Sequence, residues 1–163
     1  MSNPAKKKGT QFESSCVNYL SAMTGIVVWR EAPHGAKDEG DLRMVVHGHV
    51  LTAECKCVER VTPKMLAEFR LQATVEAANA GTDGGVLLQW RQGKGYRWDA
   101  GPGGQRAKSF GENLAHMTLE TLLLVAGLEG TIPDPEDAGV WATITMEDFA
   151  LLVADRGDAW LRK

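Results

Sequence analysis

Gly40-Asp41 and, thirteen residues after the aspartate, Glu54-Cys55-Lys56 are the residues of this chain best suited to chemistry. An acid at the start of one strand and an acid-x-Lys triplet on the next is a compact way to hold Mg²⁺. That ion prefers near-octahedral oxygen ligation and takes only one or two protein carboxylates, leaving positions for water and a substrate phosphate. A cation so placed polarises a phosphodiester and acidifies a bound water, while a nearby ammonium such as Lys56 offsets charge in the transition state. Mn²⁺ is expected to substitute. Glu13 stands one position off the apolar stripe of the first helix, where it could reach the same site. The bland alternatives are a solvated strand face with an ion pair of little energetic worth and a helical glutamate serving the helix dipole.

The elements that must position these groups follow from patterning. Residues 1–9 read as a flexible basic tail whose Lys6, Lys7 and Lys8 form a solvated arm, a DNA-contacting arm or both, with Thr10 as the cap of a helix. Phe12, Cys16, Leu20 and Met23 recur at helical spacing, and Gly25 can end the helix. Ile26 to Trp29 is a strand candidate and Glu31 to Gly40 a loop. Leu42–His47 and Val50–Val58 form a hairpin around His47-Gly48-His49. A turn centred on Gly48 sets Glu54 opposite Leu42. Strand alternation then places Glu54 and Lys56 on one face, with Cys55 and Cys57 in the core on the other.

Thr62-Pro63 opens a helix to about Ala80, stopped by Gly81. Along one side of it lie Met65, Phe69, Gln72 or Ala73, and Glu76 or Ala77. Val86–Trp90 is a strand, Gln92–Gly95 a turn, and Tyr96-Arg97-Trp98 its return strand; Ala100–Gly111 is glycine-rich, basic and expected to be mobile. In the last third, Thr118 and Thr145 each precede an acid and a short apolar run, which predicts two small capped helices separated by Gly130–Asp137. The order α-β-β-β-α-β-β followed by small helices makes an α/β protein with a mixed sheet flanked by helices.

At 163 residues the chain fits one ordinary domain. No apolar run nears the roughly 18 residues of a membrane span, and no signal-peptide core is present. Three cysteines without a disulfide spacing point to a reduced, intracellular setting, the cytoplasm. The net charge of −3 is unevenly distributed: residues 112–163 hold −7, leaving +4 on the rest. Phosphate binding therefore belongs to the first two-thirds. The expected organisation is a tail over 1–9, a catalytic core over 10–111, and an acidic extension over 112–163 packed on or continuing the same domain.

Lys8-Gly9-Thr10-Gln11-Phe12-Glu13, Arg30 with Pro33, Gly40-Asp41-Leu42 and Ala53-Glu54-Cys55-Lys56, in that order, resemble the PD-(D/E)xK nuclease superfamily. The nearest likeness is to archaeal-type Holliday junction resolvases and their phage-encoded relatives. It covers roughly residues 6–99. The resemblance implies a restriction-endonuclease-like mixed β-sheet. It implies Asp41, Glu54 and the Cys55 carbonyl as metal ligands, Lys56 assisting the water, and Glu13 completing the acidic cluster. Arg30 and Gln72 would contact or orient the phosphate backbone. It further implies a homodimer that nicks a four-way DNA junction symmetrically. Gly40 stands where the superfamily's name has proline, and the loop before Asp41 offers no match for the family's serine.

Other groups invite other chemistry. His47, His49, Cys55 and Cys57 have zinc-ligand types, yet Cys55 lies about 20 Å along an extended strand from the turn. Arg91, Lys94, Arg97, Arg106 and Lys108 could follow a phosphate backbone or form a solvated hairpin and loop. Trp90, Trp98, Trp141 and Trp160 read as core or interface anchors, and Trp29 as the tryptophan nearer substrate. The acidic last third leaves room for a protein partner. The rival functions are cleavage of other branched or duplex DNA, and a nucleic-acid-binding or assembly module without turnover.

Overall fold

A computed structural model describes residues 4–32, 38–98, 109–128 and 139–154. Glu31–Gly40 is only partly within that set; of Ala100–Gly111, expected to be mobile, residues 109–111 are described and Phe110 there is fully buried, while Gly130–Asp137, Arg106, Lys108 and Trp160 fall outside. Helix α1 spans Pro4–Thr24, followed by strands β1 (Val28–Arg30), β2 (Leu42–Val46) and β3 (His49–Lys56). Helix α2 (Pro63–Ala80) leads into β4 (Gly84–Gln89) and β5 (Leu114–Thr118). Helix α3 (Leu119–Val125), β6 (Trp141–Thr145) and helix α4 (Met146–Val153) complete the described chain.

The six strands form one sheet in chain order, with all neighbours antiparallel except the parallel pair β3 and β4. A parallel neighbour needs a crossover, which α2 supplies. The protein is therefore α/β, a mixed sheet flanked by helices. Leu51, Ala53, Val86, Leu88, Ala115 and Met117 bury one face of the sheet in a core shared with Phe12, Cys16, Tyr19 and Leu20 of α1 and with Val125, Met146 and Phe149. The opposite face carries α2. There Ala73 packs so closely on β4 that a side chain at Gly85 would meet its carbonyl oxygen at 2.5 Å.

Three sequence expectations are corrected. Residues 4–9 are not a tail but the first turns of α1, and Thr10 lies inside the helix instead of capping it. Pro4 suits a first turn, Ala5 and the three lysines are helix formers, and Lys8 anchors the segment over the Trp90 ring, 3.6 Å from its centre. Tyr96–Trp98 is not a strand; β4 pairs instead with β5, whose last residue Thr118 is also the cap of the next helix. β6 likewise ends on a helix cap, Thr145, and neither strand is expected from the pattern. β5 and β6 continue the sheet of the core, which is the second of the two arrangements expected for the acidic extension. Finally, the hairpin pairs Leu42 with Ala53 instead of Glu54. Its turn is two residues long, with His47 at φ 50° and Gly48 at φ 86°, the both-positive arrangement whose twist matches a hairpin.

Other expectations agree with the fold. Thr62 caps α2 by accepting from the Met65 amide at 3.2 Å, Pro63 is the first helical residue, and Gly81 closes the helix in the left-handed conformation. Among the described residues no helix is long and apolar enough to cross a membrane.

Candidate functional site

The site forms where β3 ends and β2 begins, because the observed register brings Asp41 level with Glu54. The Asp41 amide donates to the Ala53 carbonyl at 3.0 Å, extending the ladder by one step. Its carboxylate turns back and accepts from the Cys55 amide at 2.9 Å. Strand alternation sends Cys55 to the α1 face, where its thiol meets Cys16 and burial pushes it well above the usual thiol range. Cys57 is likewise raised, to about 11, chiefly by burial. Neither thiol faces the acids, in keeping with a packing role.

Glu54 and Lys56 share the α2 face and form a direct ion pair. The Lys56 ammonium also lies 5.2 Å from the centre of the Phe69 ring. Glu54 is 5% exposed. Burial, then the Asp41 charge, push its carboxyl far above the ordinary range, against the pull of Lys56. Gln72, on α2, donates to Glu54 Oε1 at 3.2 Å and to Glu76 Oε1 at 2.6 Å. Glu76 is 1% exposed, hydrogen-bonds Glu54, and is raised by burial in its turn. Sequence reasoning placed Glu76 only on a helix side. The signal that could have found it is its spacing of four from Gln72, which puts both on one face.

Glu13 reaches the site from α1. It forms an ion pair with Arg30 at the end of β1. Burial and the field of Asp41 raise its carboxyl, and Arg30 opposes them. The structure thus brings Glu13, Arg30, Asp41, Glu54, Lys56, Gln72 and Glu76 to one end of the sheet. The loop holding Asp41 is pinned by Arg43, which pairs with Glu31 and Glu39, and by Asn79, which donates to the Asp38 carbonyl at 3.0 Å.

The expected DNA-contacting residues divide. Lys6, Lys7 and Arg97 are exposed. Lys8 stacks on Trp90 and pairs with Glu59, and the Trp90 amide donates to the Lys56 carbonyl at 2.9 Å, so Lys8 shares the site's end of the sheet. Arg91 donates to the Glu112 carbonyl and Lys94 pairs with the Glu112 carboxylate, which holds both against the start of β5. Trp29 is 39% exposed on edge strand β1. Trp90 and Trp98 are core residues, and Trp141 lies under the Arg70 guanidinium at 5.4 Å. His47 contacts the Leu152 carbonyl and His49 faces Asp83.

No protein-family model matches the chain, and neither curated proteins nor solved structures yield a match.

Among the described residues no three His, Cys, Asp or Glu side chains stand ready as a metal-ligand set. Lys56 and Arg30 occupy the places beside Glu54 and Glu13 that a cation would contest. In kind, however, the donors suit a hard divalent ion. They are oxygen-only, crowded and poorly solvated, and one buried oxygen, Glu76 Oε2, has no hydrogen-bond partner.

Proposed function

We propose that this protein is a Mg²⁺-dependent endodeoxyribonuclease of the PD-(D/E)xK type, resolvase-like, cutting branched DNA by paired nicks as a homodimer. The observation that carries the reading is the anchoring of the Asp41 carboxylate on the Cys55 amide, beside the buried Glu54–Lys56 pair. Two carboxylates and a lysine with a fixed common origin are what metal-assisted phosphodiester hydrolysis requires of a protein.

Asp41, Glu54 and the Cys55 carbonyl would hold the ion, with Mn²⁺ able to replace Mg²⁺. When bound, it would polarise the phosphate and acidify a water. The chain's own groups do the positioning. Gln72 fixes Glu54 Oε1, so that carboxyl cannot swing into solvent. Lys56 keeps an ammonium at the phosphate-facing end of β3, where it can orient the attacking water and neutralise developing negative charge. Arg30, paired to Glu13 and partly exposed, can turn to a backbone phosphate. Lys6, Lys7, Arg91, Lys94 and Arg97 would extend phosphate contacts outward.

The test is cleavage of a synthetic four-way junction with Mg²⁺ by the wild type, Asp41→Asn, Glu54→Gln and Lys56→Ala. Each variant is expected to lose at least about 100-fold in rate. Equal activity in all four proteins would remove the site. Competition with linear duplex distinguishes junction from general duplex cleavage, and junction binding without any cation-dependent cutting would make this a binding module. A monomeric mass with and without junction would end the paired-nicking reading.

A further inference from the structure

We propose that Arg70 of α2, seated on the Trp141 ring, binds a backbone phosphate of the DNA at a second contact point, away from the bond that is cut. The inference rests on the DNA-acting reading above, but not on its cation. Three observations converge on it. The first is that only neutral groups hold the guanidinium. Its Nη2 lies 3.1 Å from the Thr143 hydroxyl and 3.3 Å from His116 Nδ1, and its carbon lies 5.4 Å from the centre of the Trp141 ring. His116 is 2% exposed, and burial with the Arg70 charge lowers its pKa to about 4, so the ring is neutral near pH 7. Among the described residues no carboxylate pairs with Arg70, whereas Arg30, Arg43, Lys56 and Lys94 each have one. The second is that the guanidinium is fixed in place. The Thr143 hydroxyl lies 2.8 Å from His116 Nδ1, and His116 Nε2 lies 2.9 Å from Gln89 Oε1, so its two partners are themselves anchored. The third is the edge beside it. The Leu119 amide donates to the Val140 carbonyl and the Met146 amide to the Asn113 carbonyl, which sets the phase of the β5–β6 ladder. In that phase Thr143 and His116 are a pair without mutual backbone bonds, so the Thr143 amide points off the outer edge of β6. Thr143 is exposed, and among the described residues no strand lies beyond β6.

A half-buried charge without a counter-ion is destabilising. Burial here does disfavour the charged form of Arg70, and its Nε is covered without a hydrogen-bond partner. Packing on Trp141 alone would be served as well by an uncharged side chain. An anion accounts for the charge, and the planar guanidinium fork matches phosphate oxygens in particular. The outward Thr143 amide offers a further donor beside it. Position decides which phosphate is taken. Glu54, Leu87, His116 and Thr143 stand level across β3, β4, β5 and β6. Three strand spacings, roughly 14 Å, therefore separate the Arg70 site from Glu54. One phosphate cannot reach both, so Arg70 takes another phosphate of the same substrate.

The experiment is fluorescence anisotropy of a labelled four-way junction in EDTA over a series of KCl concentrations, with thermal melts to check the fold. The proteins are the full-length wild type, Arg70→Gln and Arg70→Lys. Arg70→Gln is expected to weaken junction binding by about tenfold at low salt. It should also reduce the slope of log affinity against log salt by about 1, the signature of one lost phosphate contact. A purely structural role would lower the melting temperature and leave that slope unchanged. Arg70→Lys keeps the charge but loses the fork, so the slope should stay at the wild-type value while affinity falls several-fold; it decides the matter if Arg70→Gln does not fold. Wild-type affinity and slope in Arg70→Gln, or wild-type affinity in Arg70→Lys where the glutamine variant is unfolded, overturns the proposal and leaves the nuclease reading intact. If inorganic phosphate raises the melting temperature of the wild type and not of Arg70→Gln, while both bind the junction equally, the site takes a free anion and the DNA assignment falls. Absence of junction binding by the wild type overturns both readings.

Discussion

Gly40 shows how a single residue sets the site. Its φ is +84°, and a Cβ there would lie 2.5 Å from Thr52 Cγ2 and 3.3 Å from the Ala53 carbonyl oxygen. Proline has φ locked near −65° and cannot occupy this position. Gly40→Ala is expected to lower stability by at least about 1–2 kcal/mol from the left-handed backbone alone, read as a lower urea midpoint. On the proposed function its Mn²⁺ affinity should fall too, because the next residue is Asp41. His116 offers a test of a different kind. Its Nε2 donates to Gln89 Oε1 at 2.9 Å, and its Nδ1 faces the Thr143 hydroxyl at 2.8 Å and Arg70 Nη2 at 3.3 Å. Burial, reinforced by Arg70, lowers its pKa to about 4. The unfolded chain then takes up this proton near pH 6.5, before the folded one does. The neutral ring's contribution is thus complete above pH 6.5 and is lost as pH falls towards 4, at most about 3 kcal/mol. Urea midpoints at pH 7 and pH 4.5 should drop more for the wild type than for His116→Gln. The pairing of Glu54 with Lys56 was readable from strand alternation, and so was the inward turn of the cysteines. Glu76 was not, because one acid on a helix looks solvated until the partner face proves polar. The hairpin register slipped by one because a histidine at positive φ is uncommon, so the turn was centred on Gly48 alone.

At the scale of elements, two threonines organise the last third. Thr118 accepts from the Thr121 amide at 3.2 Å and Thr145 from the Asp148 amide at 3.0 Å. Thr145 also donates to the Asp148 carboxylate at 2.7 Å. Both caps were expected from the repeated threonine-x-acid pattern. The strands before them were not, since Leu114–Thr118 and Trp141–Thr145 are short and weakly alternating, and only the cap signal at their ends stands out. The echo is thus of strand-cap-helix units, β5–α3 and β6–α4. Glu120, Glu147 and Asp148 fall in first turns, where the helix dipole favours them, so part of the acidity of this region is structural. Thr145→Ala is expected to cost about 1 kcal/mol, visible as a lower melting temperature. Thr145→Ser should recover most of it, since the hydroxyl is the capping atom. Failure of serine to restore stability would assign the loss to the missing methyl group.

For the whole molecule, the decisive fact is that the acidic third is not an appendage. β5 pairs with β4 and β6 with β5, while α4 lies against α1. Met146, Phe149 and Val153 are buried in the core that contains Phe12, Tyr19 and Leu20. Each such side chain contributes about 1.5–3 kcal/mol when buried. Three of them together approach the roughly 5–15 kcal/mol that separates a typical folded domain from its unfolded chain. Removing everything after residue 126 leaves Glu13, Asp41, Glu54, Lys56 and Glu76 in the sequence yet strips one side of the core they depend on. The same cut exposes β5 as an unpaired edge, which invites aggregation. The truncated chain is therefore expected to show no cooperative thermal transition by circular dichroism, and to lose the Mn²⁺ binding that the proposed function requires. If the shorter chain instead melted cooperatively and bound Mn²⁺, residues 112–163 would be an added module after all, and their acids would be free for a partner.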